Sequence, residues 1–257
     1  MSLDATLDNN MLSLILDRPE RYNAIDPELR DQLVESFDTA AQRGARVIVL
    51  RGNGRGFCAG ADLKADASEY YGIEVEQHMS QSTYRLARAV INCRVPVVVA
   101  VHGACAGIGL TLALGADVCI AADSARFVGA FIQRSLVPDG AAARLLPRII
   151  GYSRAREFLL LGQTIDADEA LSLKMVSRVV PEDDLVTAAD AAVRDFLALP
   201  TVAIGYTKQL LNRSFELDLE SFLFEERMIQ AMLSTTADKA EGLAAFREQR
   251  PARFEGR

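Results

Sequence analysis

From Val95 to Ala116 the chain carries no formally charged residue. An uncharged run of ~20 residues is long enough to cross a bilayer, so what this run becomes decides what the rest of the chain can be. Pro96 opens it, His102 interrupts it, and Gly103, Gly107, Gly109 and Gly115 punctuate it. Those residues divide it into a strand, Val97 to Val101, and a small-residue helix beginning near Gly107. A strand covered by helices on both faces reads as an unbroken apolar run. The run is therefore expected to be buried strand and helix, with no membrane span.

Two similar runs, Arg46 to Leu50 and Val118 to Ala121, predict further strands, and MLSLILDRP near the start alternates into another. Between them, Glu28 to Arg43 places Leu29, Leu33, Val34, Phe37, Ala40 and Ala41 on one helical face, with Gly44 as the expected stop. Strand and helix alternate to about residue 180, which predicts an α/β class. After Pro181 only helices are expected: Asp183 to Leu199, Thr201 to Ser214, Glu220 to Leu233 and Thr236 to Gln249.

With 257 residues, 50% of them hydrophobic, the chain can bury a large core. A formal charge of −7 and an isoelectric point near 5.0 leave no dense basic stripe for phosphate backbones, which argues against a general nucleic-acid binder. Cys58, Cys93, Cys105 and Cys119 include no CxxC pair, and His78 and His102 form no metal-ligand spacing. A reduced, cytoplasmic chain without a metal is expected. No basic segment followed by an apolar one suggests a secretory signal at the N-terminus.

Four glycines fall within RGNGRGFCAGADLK, residues 51–64, directly after the Val47 to Leu50 run. Gly54, Gly56 and Ala59 satisfy a relaxed GxGxxA dinucleotide fingerprint, but the following ADASEYYGIEVEQ offers no second strand closed by an acid. No GxxxxGK[ST] occurs, which excludes a Walker A loop. Glycine also lets backbone N–H groups face a ligand oxygen. HGACAGIGLTLALGAD, from His102 to Asp117, repeats the order of strand end, glycines and helix start. Two such loops can aim two main-chain donors at one carbonyl oxygen, as an oxyanion hole does.

GRGFCAGADLK and VHGACAGIGLTLALGADVCIAAD, followed by ARFVGAFIQRSLVPDGAAARLLPRIIG and LLLGQTIDADEALSLKMVSRVVP, resemble the crotonase family, the enoyl-CoA hydratase/isomerase superfamily. The likeness runs from RPERYNAID to EGLAAFREQR. It implies a spiral of ββα units over residues 1–195, a C-terminal helical trimerisation region over 196–257, and a homotrimer or a homohexamer of two trimers. It further implies an acyl-CoA thioester as substrate, with coenzyme A entering as part of that substrate and no separate cofactor. By the same likeness, the thioester oxygen lies between the backbone N–H groups of Ala61 and Ile108. Ala24, Ala59, Asp62, Leu63 and Lys64 are implied around CoA, and Phe246 matches an aromatic that reaches CoA from a neighbouring subunit. The lysine usual three positions later is Gln249 here, with Arg250 beside it.

Hydratases of this family hold water between two glutamates, and the matching positions are Thr111 and Phe131, neither of which can act as a carboxylate acid or base. Asp139, in LVPDGAAARLLPR, matches an aspartate of the isomerases and related ring-processing members. It also suits an N-cap before a helix expected over Gly140 to Leu146, and the two roles are compatible. His102 reads as structural, and Cys58 and Cys105 as packing residues, because no histidine is placed to activate them. Asp66, Glu69, Tyr70 and Tyr71 fall where relatives line the acyl pocket. The expected activity is a double-bond shift in an enoyl-CoA, with Asp139 as base and Ala61 and Ile108 as oxyanion donors. The alternatives are a hydratase with other acid and base residues, and a non-catalytic acyl-CoA binder or scaffold.

Overall fold

The computed structural model describes residues 2–62 and 73–257, apart from the side chains of Val75 and His78. Leu63, Lys64, Asp66, Glu69, Tyr70 and Tyr71 lie outside the described residues. In chain order, β1 (Leu3–Asp8) and β2 (Met11–Leu16) form a hairpin, α1 (Pro27–Thr39) crosses to β3 (Val47–Gly52), and α2 (Ile73–Gln81) and α3 (Thr83–Ile91) lead to β4 (Val97–Val101). Next come β5 (Ala104–Ala106), α4 (Ile108–Leu114), β6 (Val118–Ala122) and β7 (Arg126–Val128). These are followed by α5 (Ala142–Ile150), α6 (Tyr152–Leu161), β8 (Thr164–Asp166), α7 (Ala167–Ser172) and β9 (Arg178–Val180). The chain ends in α8 (Leu185–Leu197), α9 (Thr201–Arg213), α10 (Leu219–Leu233) and α11 (Ala237–Glu248).

One sheet runs β1-β2-β3-β4-β6-β9 and is parallel after its first hairpin; β5-β7-β8 form a second, smaller sheet. Both faces of the large sheet are covered. Ile48, Leu50, Val97, Val99 and Val101 face the main core, while Val47, Val49, Val98, Ala100 and Ile120 pack against Leu185, Ala189 and Val193 of α8. Two-sided burial explains why these strands lack polar alternation. Burying a valine contributes about 1.5–3 kcal/mol, against ~1–2 kcal/mol for ordering one residue of backbone. Burial of the four valines of β4 is thus of the same size as the cost of ordering that five-residue strand.

The uncharged run from Val95 to Ala116 is thus β4, β5 and α4, as expected apart from the extra three-residue strand. Among the described residues no helix is long and apolar enough to cross a membrane. Helix α1 starts at Pro27, with the Asp26 carboxylate accepting the Leu29 N–H at 2.8 Å. It stops at Thr39, short of the predicted Arg43, and Gly44 (φ +87°) instead closes the turn before β3.

The four C-terminal helices lie where predicted, and two announce their starts with capping side chains, Asp218 on the Ser221 N–H and Thr236 on the Lys239 N–H. Helix α8 covers the sheet, so a division at residue 195 falls inside it and the change of layer follows at residues 198–200. Helix α9 is pinned to the core by buried Lys208, whose Nζ lies 2.6 Å from the Asp117 carboxylate and donates to the Val95 carbonyl at 2.9 Å.

Candidate active site

The loop after β3 runs alongside the loop after β4, joined main chain to main chain. Phe57 N–H donates to His102 O at 2.8 Å, Cys58 N–H to Ala104 O at 3.0 Å, and Ala106 N–H to Cys58 O at 2.9 Å. The approach leaves no room for side chains at the contact. A β-carbon on Gly109 would lie 2.7 Å from Cys58 O, and one on Gly107 3.1 Å from Gly60 Cα and 3.9 Å from Ala61 N. The predicted pairing of the two glycine loops is therefore present, and it brings Ala61 next to the start of α4. Among the described residues the Ala61 amide has no acceptor, and Ile108 opens α4, where helical N–H groups have no intrahelical partner. Ala61 and Ile108 share a cavity of about 30 Å³ with Ile25, Asp26, Ser82 and Thr83.

The RYNAID segment forms the outer edge. Tyr22 and Asn23 are left-handed (φ +51° and +55°), and buried Asn23 fixes the bend. Its Nδ2 donates to Asn53 O and Gly56 O, each at 2.9 Å, while its Oδ1 accepts the Arg18 N–H at 2.9 Å. Ile25 N–H then reaches Gly60 O at 2.8 Å, Asp62 N–H reaches Ile25 O at 2.9 Å, and Ala59 N–H reaches Tyr22 O at 2.9 Å. Ala24 and Ala59 thus belong to one edge, next to Ala61. The buried Asp62 carboxylate lies 3.0 Å from the Arg18 guanidinium, which also holds Asp26 at 3.1 Å. Arg18 and Asn23 organise this edge; both fall in RPERYNAID, yet the sequence reading gives neither a role. Phe246 stands on α11 with 84% of its surface exposed.

His102 and the loop cysteines are structural, as expected. His102 Nε2 lies 2.9 Å from Gly54 O and tethers the first loop. Burial pushes the Cys58 thiol up to about 12 and the Cys105 thiol well above its ordinary value, so neither provides a thiolate.

Asp139 is not a helix cap. Gly140 and Ala141 are both left-handed (φ +57° and +69°), α5 begins only at Ala142, and the N-cap is Ala141, with no side-chain cap bond. The two left-handed residues separate Asp139 from the helix it was expected to cap, and its own carbonyl accepts the Ala142 N–H at 3.1 Å. Its carboxyl is half-buried, and that burial pushes its pKa up, opposed in part by a hydrogen bond from its own amide.

Gly140 packs directly on the second glycine loop. A β-carbon there would lie 2.8 Å from Ile108 Cδ1, 3.0 Å from Thr111 Oγ1 and 3.2 Å from Thr83 Cγ2. Thr111, fully buried, donates its hydroxyl to Gly140 O at 2.6 Å, and Phe131 is buried. The structure thus brings together Ala61, Ile108 and the turn bearing Asp139. The Asp139 carboxyl, its pKa raised by burial, is thus carried on a turn that packs against the residue opening α4. Among the described residues no group of three or more His, Cys, Asp and Glu could hold a metal ion.

The family model described as enoyl-CoA hydratase/isomerase matches residues 6–257. The 1,2-epoxyphenylacetyl-CoA isomerase of Escherichia coli K12 is 36% identical over 254 residues, covering 98% of this chain and 97% of that protein. A protein of Rhodobacter capsulatus named "Probable enoyl-CoA hydratase" is 38% identical over 245 residues, covering 95% and 94%. The crystal structure of an enoyl-CoA hydratase from Mycobacterium smegmatis superposes with a TM-score of 0.90 at 30% identity, covering 98% of each chain. The chain belongs to the enoyl-CoA hydratase/isomerase family and has the crotonase fold.

Proposed function

We propose that this chain is an enoyl-CoA isomerase that shifts a double bond through a thioester enolate. The observation that carries this reading is Asp139: uncapped, half-buried and seated on a turn packed against Ile108, while Thr111 and Phe131 stand where hydratases of the family have glutamates. The thioester oxygen accepts hydrogen bonds from the Ala61 and Ile108 amides, which stabilise the negative charge that develops as a proton leaves the acyl chain. Loss of one such donor typically costs on the order of 10²–10³ in rate. Asp139 takes the proton from one carbon and returns it to another, so no water is consumed. The name of the Escherichia coli relative, an isomerase of a CoA thioester, supports the same class.

Coenzyme A is part of the substrate in this reading, and no other cofactor is required. Its nucleotide end follows Ala24, Ala59, Leu63 and Lys64; Asp62 contributes through its main chain, because its carboxylate is engaged by Arg18. Phe246 serves a neighbouring subunit of a homotrimer or homohexamer, a role supported by its exposure together with that of Leu211, Phe215 and Phe224.

The test is incubation of β,γ-hexenoyl-CoA in heavy water. Deuterium should enter the acyl chain as the conjugated isomer forms, and Asp139→Asn should slow both by about 10²–10⁴-fold while saturated hexanoyl-CoA still binds. Undiminished turnover by Asp139→Asn would refute the assignment. Hydration is the second reading, favoured by the name of the Rhodobacter capsulatus relative. A β-hydroxyacyl-CoA product from crotonyl-CoA would establish it, and binding without exchange or product would leave a scaffold.

A further inference from the structure

We infer that Thr111 is the positioning residue for Asp139: its buried hydroxyl grips the Gly140 carbonyl and so fixes the Asp139 turn against the helix whose first amide faces the thioester. This inference rests on the proposed base role of Asp139. Thr111 lies in α4 three residues after Ile108, which places the two on the same helical face. The 2.6 Å bond from Thr111 Oγ1 to Gly140 O therefore ties base and donor to one rigid turn. Among the described residues it is also the one hydrogen bond that a side chain from outside the turn makes to residues 138–141.

The turn needs such a hold. Residues other than glycine avoid the left-handed region, yet Ala141 occupies it at φ +69° immediately after Gly140 at φ +57°. Gly140 is sealed between Ile108, Thr111 and Thr83, with no space for a β-carbon. Replacing the hydroxyl by a methyl of similar volume would leave a buried carbonyl without its donor, and the segment would then move toward water to satisfy it. Asp139 would move with it. The residue at the position of a hydratase glutamate thus performs no proton transfer here; it orients the carboxylate that does.

The experiment compares Thr111→Val, Thr111→Ser and Asp139→Asn in the heavy-water assay with β,γ-hexenoyl-CoA, together with hexanoyl-CoA binding, thermal unfolding and the pH profile of kcat/KM. Thr111→Val should fold and bind hexanoyl-CoA normally but lose about 10²-fold in exchange rate, the scale expected of a misplaced catalytic group. Its acid limb should move down toward the ordinary carboxylate range as Asp139 becomes solvated. Thr111→Ser, which keeps the hydroxyl, should retain most of the rate and the original profile. A wild-type rate and profile in Thr111→Val would overturn the inference. So would equal impairment of the serine variant, which would make volume rather than the hydroxyl decisive, or failure of Thr111→Val to fold, which would assign the bond to the core. If Asp139→Asn is inactive while Thr111→Val is normal, only the positioning role fails; if Asp139→Asn is fully active, the base role itself fails.

Discussion

The loop of residues 51–62 and the turn at 138–141 both pass through left-handed backbone and both pack on the start of α4, yet they are held by different means. The loop is woven into its neighbours by main-chain bonds, with glycines where a β-carbon would strike a carbonyl. The turn has main-chain bonds to the start of α5, but its tie to α4 is one side-chain hydroxyl, and it carries a half-buried carboxyl. Geometry fixed by backbone survives most side-chain exchanges, whereas geometry fixed by one side chain can be altered by one substitution. On the proposed reading, the half of the site that holds a thioester is thus built into the fold, and the half that does chemistry is added to it.

Substitutions should separate the two halves by what they cost. The largest loss of stability is expected for Gly109→Ala, whose β-carbon would sit 2.7 Å from Cys58 O. Both loops would have to part, and denaturant unfolding should show a loss of about 3 kcal/mol or more. Unchanged stability would mean that the main-chain weave is looser than described. Asn23→Ala comes next. It removes the donor from two backbone carbonyls and the acceptor from Arg18 N–H, for about 2–3 kcal/mol, and should weaken hexanoyl-CoA binding because the edge at Ala24 relaxes.

His102→Phe should cost about 1 kcal/mol by releasing Gly54 O, and the proposed turnover should continue. A loss of turnover without a loss of stability would make the histidine part of the chemistry. Asp139→Asn should be smallest in stability and largest in rate. Because burial raises its pKa, the folded protein binds that proton more tightly than the unfolded chain does. Stability therefore falls as pH rises from below the ordinary 3.8 through the raised value. The asparagine variant should lose this fall and be no less stable at neutral pH, as thermal unfolding across the pH range would show.

Parts of this molecule were legible because their physics is local. Strands β3, β4 and β6 declare themselves as unbroken apolar runs, and Asp218 and Thr236 mark helix starts by their own side chains. β1 is less visible, since only Leu3 of its six residues is buried. β5, β7 and β8 have three residues each, too few to show a period. An alanine at φ +69° carries no sequence mark of that conformation, which is why the sequence suggests a helix from Gly140 that Asp139 could cap, whereas α5 starts at Ala142. The Arg18–Asp62 pair has no mark in the sequence, because its two members stand 44 positions apart. Thr111 was visible as a missing glutamate but not as a bonded hydroxyl, because its partner is a carbonyl, which no motif encodes.

The free amides of Ala61 and Ile108 also shape how this site can be damaged. A peptide N–H is retained through every replacement except proline, so exchanging either side chain leaves the proposed electrophile in place. Random mutagenesis should therefore show few inactivating changes other than proline at exposed Ala61, whereas buried Ile108, packed against Gly140, should accept mainly apolar replacements. Ile108 is the more informative, since it opens α4 and proline is accepted at the first helical position. Ile108→Pro would delete one donor while sparing the helix, and comparison with Ile108→Ala, which trims the same packing on Gly140 but keeps the N–H, would isolate that single hydrogen bond.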